Sequence, residues 1–195
     1  GQDIVMAPAE LAGLQQAGIG SFEATAAADV VITDELARAL SDAGMLSAVP
    51  EAKVVIDAGD NAYLQTPFKL LAELGVEQIN TSQSKVFFDL GVSDPGELLQ
   101  LLGTLAGQQV DGDPSLFGSQ SGKEAGLVVH ADANSGDLLD ALAQAMGSDQ
   151  LQTLGITEFN VVIDHGTDLP GATAYSGLNY AEAAQATQVV LLGES

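Results

Sequence analysis

Three times in this chain a helical run stops at a glycine, meets one aliphatic residue and continues as a strand. The segments are Ala17-Gly18-Ile19 leading to Phe22, Leu74-Gly75-Val76 leading to Ile79, and Leu154-Gly155-Ile156 leading to Phe159. Four short runs that end in a polar or acidic residue accompany them: VVIT from Val30, VVID from Val54, VFFD from Val86 and VVID from Val161. Glycine ends helices because it alone enters the left-handed region at no steric cost. Runs of β-branched residues suit strands buried on both faces. Together these signals predict an α/β fold of repeated strand–helix–strand units, forming a mixed sheet with packed helices. Repetition of one supersecondary unit is commoner in modular structural proteins than in single-site enzymes.

The fullest unit is Lys53–Gly91, which reads as strand, loop, helix, glycine stop, strand, turn, strand. Lys53–Asp57 is a β-branched run. Thr66-Pro67 reads as a helix cap and first position, and Phe68, Leu71 and Leu74 form the inward stripe. Glu77–Thr81 and Lys85–Asp89 read as a hairpin about the polar turn Ser82–Ser84. Before this unit, Glu35–Leu46 has the 3, 4, 7 apolar spacing of an amphipathic helix. An earlier short helix, with Pro8 near its start, is stopped by Gly18.

After it, Asp94-Pro95-Gly96-Glu97 is a strong helix start, and the leucine-rich run that follows is expected to be buried on most sides. Strands are expected at Leu127–His130, Phe159–Asp164 and Gln188–Leu192. Helices are expected at Leu138–Met146, with a last turn at Gln150–Leu154, and at Tyr180–Thr187.

A chain of 195 residues can bury a substantial core without staples. It is expected to form one α/β domain over 1–195, with the most loop-like stretch, 108–123, as an internal boundary. Five Lys plus Arg against 27 Asp plus Glu give a net charge of −22. Such a surface lacks the cations that phosphate binding requires, which argues against nucleic acid and against an anionic membrane surface. No apolar run approaches the roughly 18–20 residues of a spanning helix, so no membrane insertion is expected. The absence of cysteine removes disulfides, thiolate metal sites and thiol nucleophiles together. The start has neither a basic region nor an apolar h-region, and the whole reads as a segment of a longer protein.

Units of the form L-G-V-x-x-I followed by V-x-F-D-L-G, set among Ala/Leu-rich helices, resemble the repeat or extender segments of very large bacterial surface adhesins. These are the type I-secreted proteins of the RTX class. The pattern is loose but covers most of the chain. It departs from the class in lacking the glycine–aspartate nonapeptide G-G-x-G-x-D, which puts a calcium-rolled β-helix in doubt. The resemblance implies an extracellular or cell-surface location and a role in structure or adhesion.

Few motifs for chemistry are present. Gly118-Ser119-Gln120-Ser121-Gly122 has glutamine where a nucleophile elbow needs serine. Gly118–Lys123 is one residue short of a phosphate loop, and Gly18-Ile19-Gly20 follows a helix where a dinucleotide fingerprint follows a strand. Acidic loops remain, and calcium is the cation they suit, because it takes six to eight oxygens. Asp57, Asp60, Asp132, Asp137 and Asp164 are the candidate ligands, with Asn61, Asn134 and Asp168 near them and Asp111 with Asp113 as a further pair. Turn chemistry and helix capping compete for the same carboxylates. Asp132–Asp137 begins like an EF-hand but puts Asp137 where glycine is required.

The leading expectation is a non-enzymatic structural, adhesive or spacer module with a protein or surface partner, self-association included. An α/β hydrolase or ligand-binding domain from a halophile is the alternative. It would gather Asp57, Asp89, His130, Asp164 and His165 at strand ends. A third expectation is a subunit that polymerises through sheet edges.

Overall fold

The computed structural model describes residues 2–3, 10–24, 30–48, 53–108, 115–131, 135–164 and 188–192. In chain order its elements are β1 (Gln2–Asp3), α1 (Leu11–Gln16), β2 (Phe22–Ala24), β3 (Val30–Thr33), α2 (Asp34–Asp42) and β4 (Leu46–Ala48). They continue with β5 (Val54–Gly59), β6 (Tyr63–Leu64), α3 (Phe68–Glu73), β7 (Val76–Thr81), β8 (Lys85–Asp89) and α4 (Pro95–Gln108). The last are β9 (Glu124–Ala131), α5 (Gly136–Gly147), α6 (Gln150–Thr153), β10 (Ile156–Asp164) and β11 (Gln188–Leu192).

The protein is α/β, with helices packed on sheets. One sheet runs β1-β3-β5-β7, a second β11-β10-β9-β8-β6, and β2 pairs with β4. Where a mixed sheet was expected, every ladder among the described residues is parallel. Neighbours within each large sheet follow chain order. The chain therefore advances in one direction, by about 4.8 Å per added strand, in the manner of a solenoid. The similar runs VVIT and VVID lie side by side in step, Val30 on Val54 through Thr33 on Asp57.

The glycine stops behave as the sequence implied. Gly18, Gly75 and Gly155 have φ of 82°, 65° and 85°. Gly155 is the most constrained, because an added Cβ would also stand 3.0 Å from both the Phe117 ring and Ser115 Oγ.

Three local expectations are corrected. β7 and β8 form no hairpin, because they belong to different sheets. Ser82–Ser84 turns a corner instead, held by neighbouring corners: Ser82 N–H donates to Gly59 O (2.7 Å) and Glu124 N–H to Ser84 O (3.0 Å). Thr66 does not cap α3. The N-cap is Pro67, and the Thr66 hydroxyl turns to Asp34 O at 3.3 Å. α2 ends at Asp42, four residues early, since Gly44 turns left-handed and Leu46 opens β4.

β9 and β10 each begin three residues before the strands expected at Leu127 and Phe159, while the start of α4 holds. Asp94 Oδ1 accepts from the Gly96 and Glu97 amides at 2.7 and 3.1 Å, and α4 starts at Pro95. Along α4, Leu98, Leu101, Leu102 and Leu105 are buried while Leu99 is 58% exposed, so one face of this helix meets solvent. Pro8 and Tyr180–Thr187 lie outside the described residues.

One apolar cluster extends from Ile32 to Val161 and joins both large sheets to α3, α4, α5 and α6. A smaller one, Leu11, Leu36, Leu40 and Met45, packs α1 against α2. In the stretch 108–123, residues 115–123 are tied to both flanks. Leu116 and Phe117 are in the main core, Ile79 N–H donates to Leu116 O (2.6 Å), and Leu116 N–H donates to Leu154 O (3.0 Å). Gln120, at the centre of the failed elbow, is a structural residue whose amide donates to Ile79 O at 2.8 Å.

Candidate functional site: the outer face of the second sheet

Period-two alternation divides the second sheet into two faces. Leu64, Val86, Phe88, Ala125, Leu127, Val129, Phe159 and Val161 are buried on one. The other carries Tyr63, Lys85, Phe87, Asp89, Glu124, Val128, His130, Glu158 and Val162, all partly or well exposed. Parallel sheets are usually covered on both faces; this one presents polar and aromatic groups outward. Gly126 belongs to the same face and lies under the Phe87 ring, so that an added Cβ would meet Phe87 Cε1 at 2.6 Å.

Two polar clusters stand on this face. At its N-terminal side Lys85 Nζ reaches Glu158 Oε2 at 3.1 Å and Glu124 Oε2 at 3.3 Å, across three adjacent strands. Burial by itself would lower the Lys85 pKa, but its hydrogen bonds to Glu158 and Glu124 outweigh that and raise it. Toward the C-terminal side the Tyr63 hydroxyl donates to Asp89 Oδ1, and the same oxygen lies 3.2 Å from His130 Nε2. Desolvation, then the hydrogen bond to Asp89, pushes the Tyr63 hydroxyl pKa well above its usual value. Register explains the meeting: Tyr63 stands opposite Phe87 and Asp89 opposite Val128, so the three side chains follow one diagonal over β6, β8 and β9.

Of the five strand-end residues expected to converge, the structure brings together Asp89 and His130. Asp57 is on β5, in the other sheet. His165 and the side chain of Asp164 lie outside the described residues. Tyr63 went unremarked in the sequence, since a two-residue strand after a polar loop has no periodicity to mark it.

Of the calcium candidates, Asp57 on β5, Asp60 in the turn after it and Asp137 on α5 have described side chains. Asp57 Oδ1 accepts from Gly59 N–H at 3.0 Å, an Asx-type turn. Asp60 is exposed, and its backbone carbonyl accepts from Gln83 Nε2 at 2.7 Å. Gly59 O takes the Ser82 hydroxyl at 2.9 Å as well as the Ser82 amide. At the next corner the Lys123 ammonium occupies Ser82 O (2.9 Å) and Gln83 O (2.6 Å). Asp137 is in the first turn of α5, and Asp132 lies outside the described residues. Among the described residues no three His, Asp or Glu side chains are grouped to hold a metal.

All five cationic side chains have anionic or carbonyl partners. Arg38 pairs with Asp42 (2.9 Å), Lys53 with Glu77 (3.8 Å) and Lys69 with Glu97 (3.8 Å), beside Lys85 and Lys123. No helix among the described residues is long and apolar enough to cross a membrane. A groove of about 300 Å³ lies between α3 and α4, lined by Ala72 and Leu101 and by Lys69 and Glu97.

No family model matches the chain, and neither a curated protein nor a solved structure matches it.

Proposed function

We propose that this chain is a non-enzymatic structural, adhesive or spacer module of a large bacterial secreted or cell-surface protein. The observation that carries the reading is the strand order. In open α/β sheets, ligands bind in the crevice where strand order reverses, and among the described residues neither large sheet reverses. Successive parallel units that advance in one direction suit a spacer, and the extended outer face they create suits protein contact. The repeated units and the acidic surface agree with the adhesin-like pattern of the sequence.

The Tyr63–Asp89–His130 cluster is what favours the second reading, an α/β hydrolase or ligand-binding domain. The two readings separate in one assay. The chain is incubated with chromogenic carboxylic esters, phosphate esters and glycosides. The module reading expects turnover equal to buffer. Hydrolysis that disappears in Asp89→Asn would replace it with the enzyme reading. Polymerisation through sheet edges is the third reading. The described edge strands of the two large sheets, β1, β7, β6 and β11, are each paired within the chain on their inner side.

Calcium belongs to the same proposal. With every cation paired and 27 carboxylate residues in the chain, self-repulsion opposes the compact state, and a divalent ion that binds the folded form stabilises it. Millimolar calcium is expected to raise the thermal midpoint by several degrees over sodium at equal ionic strength, roughly 2–4 °C per kcal/mol for a chain of this size. Equal midpoints in the two salts would remove calcium from the proposal.

A further inference from the structure

We propose that Tyr63, Asp89 and His130 form a surface site for one divalent transition-metal ion of the copper(II) or zinc(II) type. Asp89 Oδ1 is the shared centre of the cluster, accepting from the Tyr63 hydroxyl and lying 3.2 Å from His130 Nε2. Two donors bound at about 2.0–2.2 Å to one ion stand about 3 Å apart when adjacent. The carboxylate and the imidazole therefore already have the separation of neighbouring ligands.

The donor types choose the metal class. A phenol oxygen, a carboxylate oxygen and an imidazole nitrogen, with no thiolate in the chain, suit copper(II) and zinc(II). Calcium and magnesium take oxygen ligands and gain nothing from His130. The site is thus separate in chemistry from the acidic corners discussed above.

The sheet supplies the rigidity. Each ligand comes from a different one of three neighbouring parallel strands, fixed by the ladders β6–β8 and β8–β9. Tyr63 as a residue is 47% exposed, and the side chains of His130 and Asp89 are 65% and 43% exposed. That leaves open positions for water or for an external ligand. On binding, the ion displaces the hydroxyl proton that Tyr63 shares with Asp89, against the desolvation and the hydrogen bond that favour the protonated phenol in the metal-free chain. The proton passes to solvent, and phenolate, carboxylate and neutral imidazole coordinate. No electron transfer is involved.

The test is a calorimetric and visible-absorption titration of the full chain with copper(II), with excess glycine as a weak competitor to suppress binding by scattered carboxylates. One tight equivalent is expected, with a phenolate-to-copper charge-transfer band. His130→Ala should weaken the tight site at least about tenfold, Tyr63→Phe should remove the band, and Asp42→Asn should change neither. The replaced ligands are exposed, and circular dichroism confirms that each variant is folded. Superimposable titrations of wild type and His130→Ala would overturn the site, as would loss of the tight equivalent in His165→Ala.

Discussion

Asp34→Ala is expected to destabilise the protein by about 3 kcal/mol, although it removes one negative charge from a chain that carries 22 in excess. Asp34 is 1% exposed. Its carboxylate accepts from Gln65 N–H at 2.6 Å and from Thr66 N–H at 2.9 Å, more than thirty residues along the chain. The carboxylate also opens α2, where the helix dipole favours an anion.

Alanine would leave two backbone donors without an acceptor. Thr66 is fully buried, so water cannot replace the lost partner there without disturbing the packing. Each stranded donor costs about 1–3 kcal/mol. The charge term has the opposite sign and is the smaller one, because repulsion among dispersed surface carboxylates is screened over about 8–10 Å.

Urea unfolding of Asp34→Ala beside Asp57→Ala measures the difference. Asp57 is exposed and accepts one local amide, so its loss should stay within about 1 kcal/mol. Similar midpoints for the two variants would show that the Asp34 contacts carry no special weight.

Phe88→Ala should cost still more, about 3–5 kcal/mol. Phe88 is fully buried on β8, one strand in from the β6 edge of the second sheet, and its ring stacks on Phe68, also fully buried, with centroids 5.8 Å apart and planes 16° from parallel. Register sets Phe88 between Leu64 and Leu127, so truncation opens a void where β6, β8, β9 and α3 meet. Backbone ladders on both sides of β8 limit collapse into that void, which places the cost toward the upper end of the range.

A loss of this size is a large part of the roughly 5–15 kcal/mol that holds a domain together. The thermal midpoint should fall by roughly 10 °C, while Phe88→Leu should lose about 1–2 kcal/mol. A Phe88→Ala midpoint within a degree of wild type would contradict the packing described for this core.

Local signals in the sequence were dependable wherever the physics was local. Glycine after a helix went left-handed at Gly18, Gly75 and Gly155. The Asp94-Pro95-Gly96-Glu97 start capped α4 as its side chains imply, and the β-branched runs became strands. For the glycines and the cap, steric freedom or a bond within three residues decides the result. The α/β class follows from the alternation of these elements.

What only the tertiary structure decided depended on partners far along the chain. Ser82–Ser84 has the composition of a hairpin turn, yet β7 and β8 pair with other strands, because parallel neighbours in two different sheets offer each a full ladder. Thr66 has the composition of a cap, yet Asp34, 32 residues before it, takes its hydroxyl on the backbone carbonyl and its amide on the buried carboxylate.

The candidate site divides in the same way. Asp89 and His130 were legible as strand-end residues, but their meeting depends on β9 lying beside β8. Tyr63 joins them only because a two-residue strand adds to the edge of that sheet. Composition alone determined the acidic, cysteine-free character of the chain, and the recurring helix–glycine–strand grammar determined its building unit. The direction in which the units stack, and the face they turn outward, was decided by long-range strand pairing, whose energy comes from partners that no short window of sequence contains.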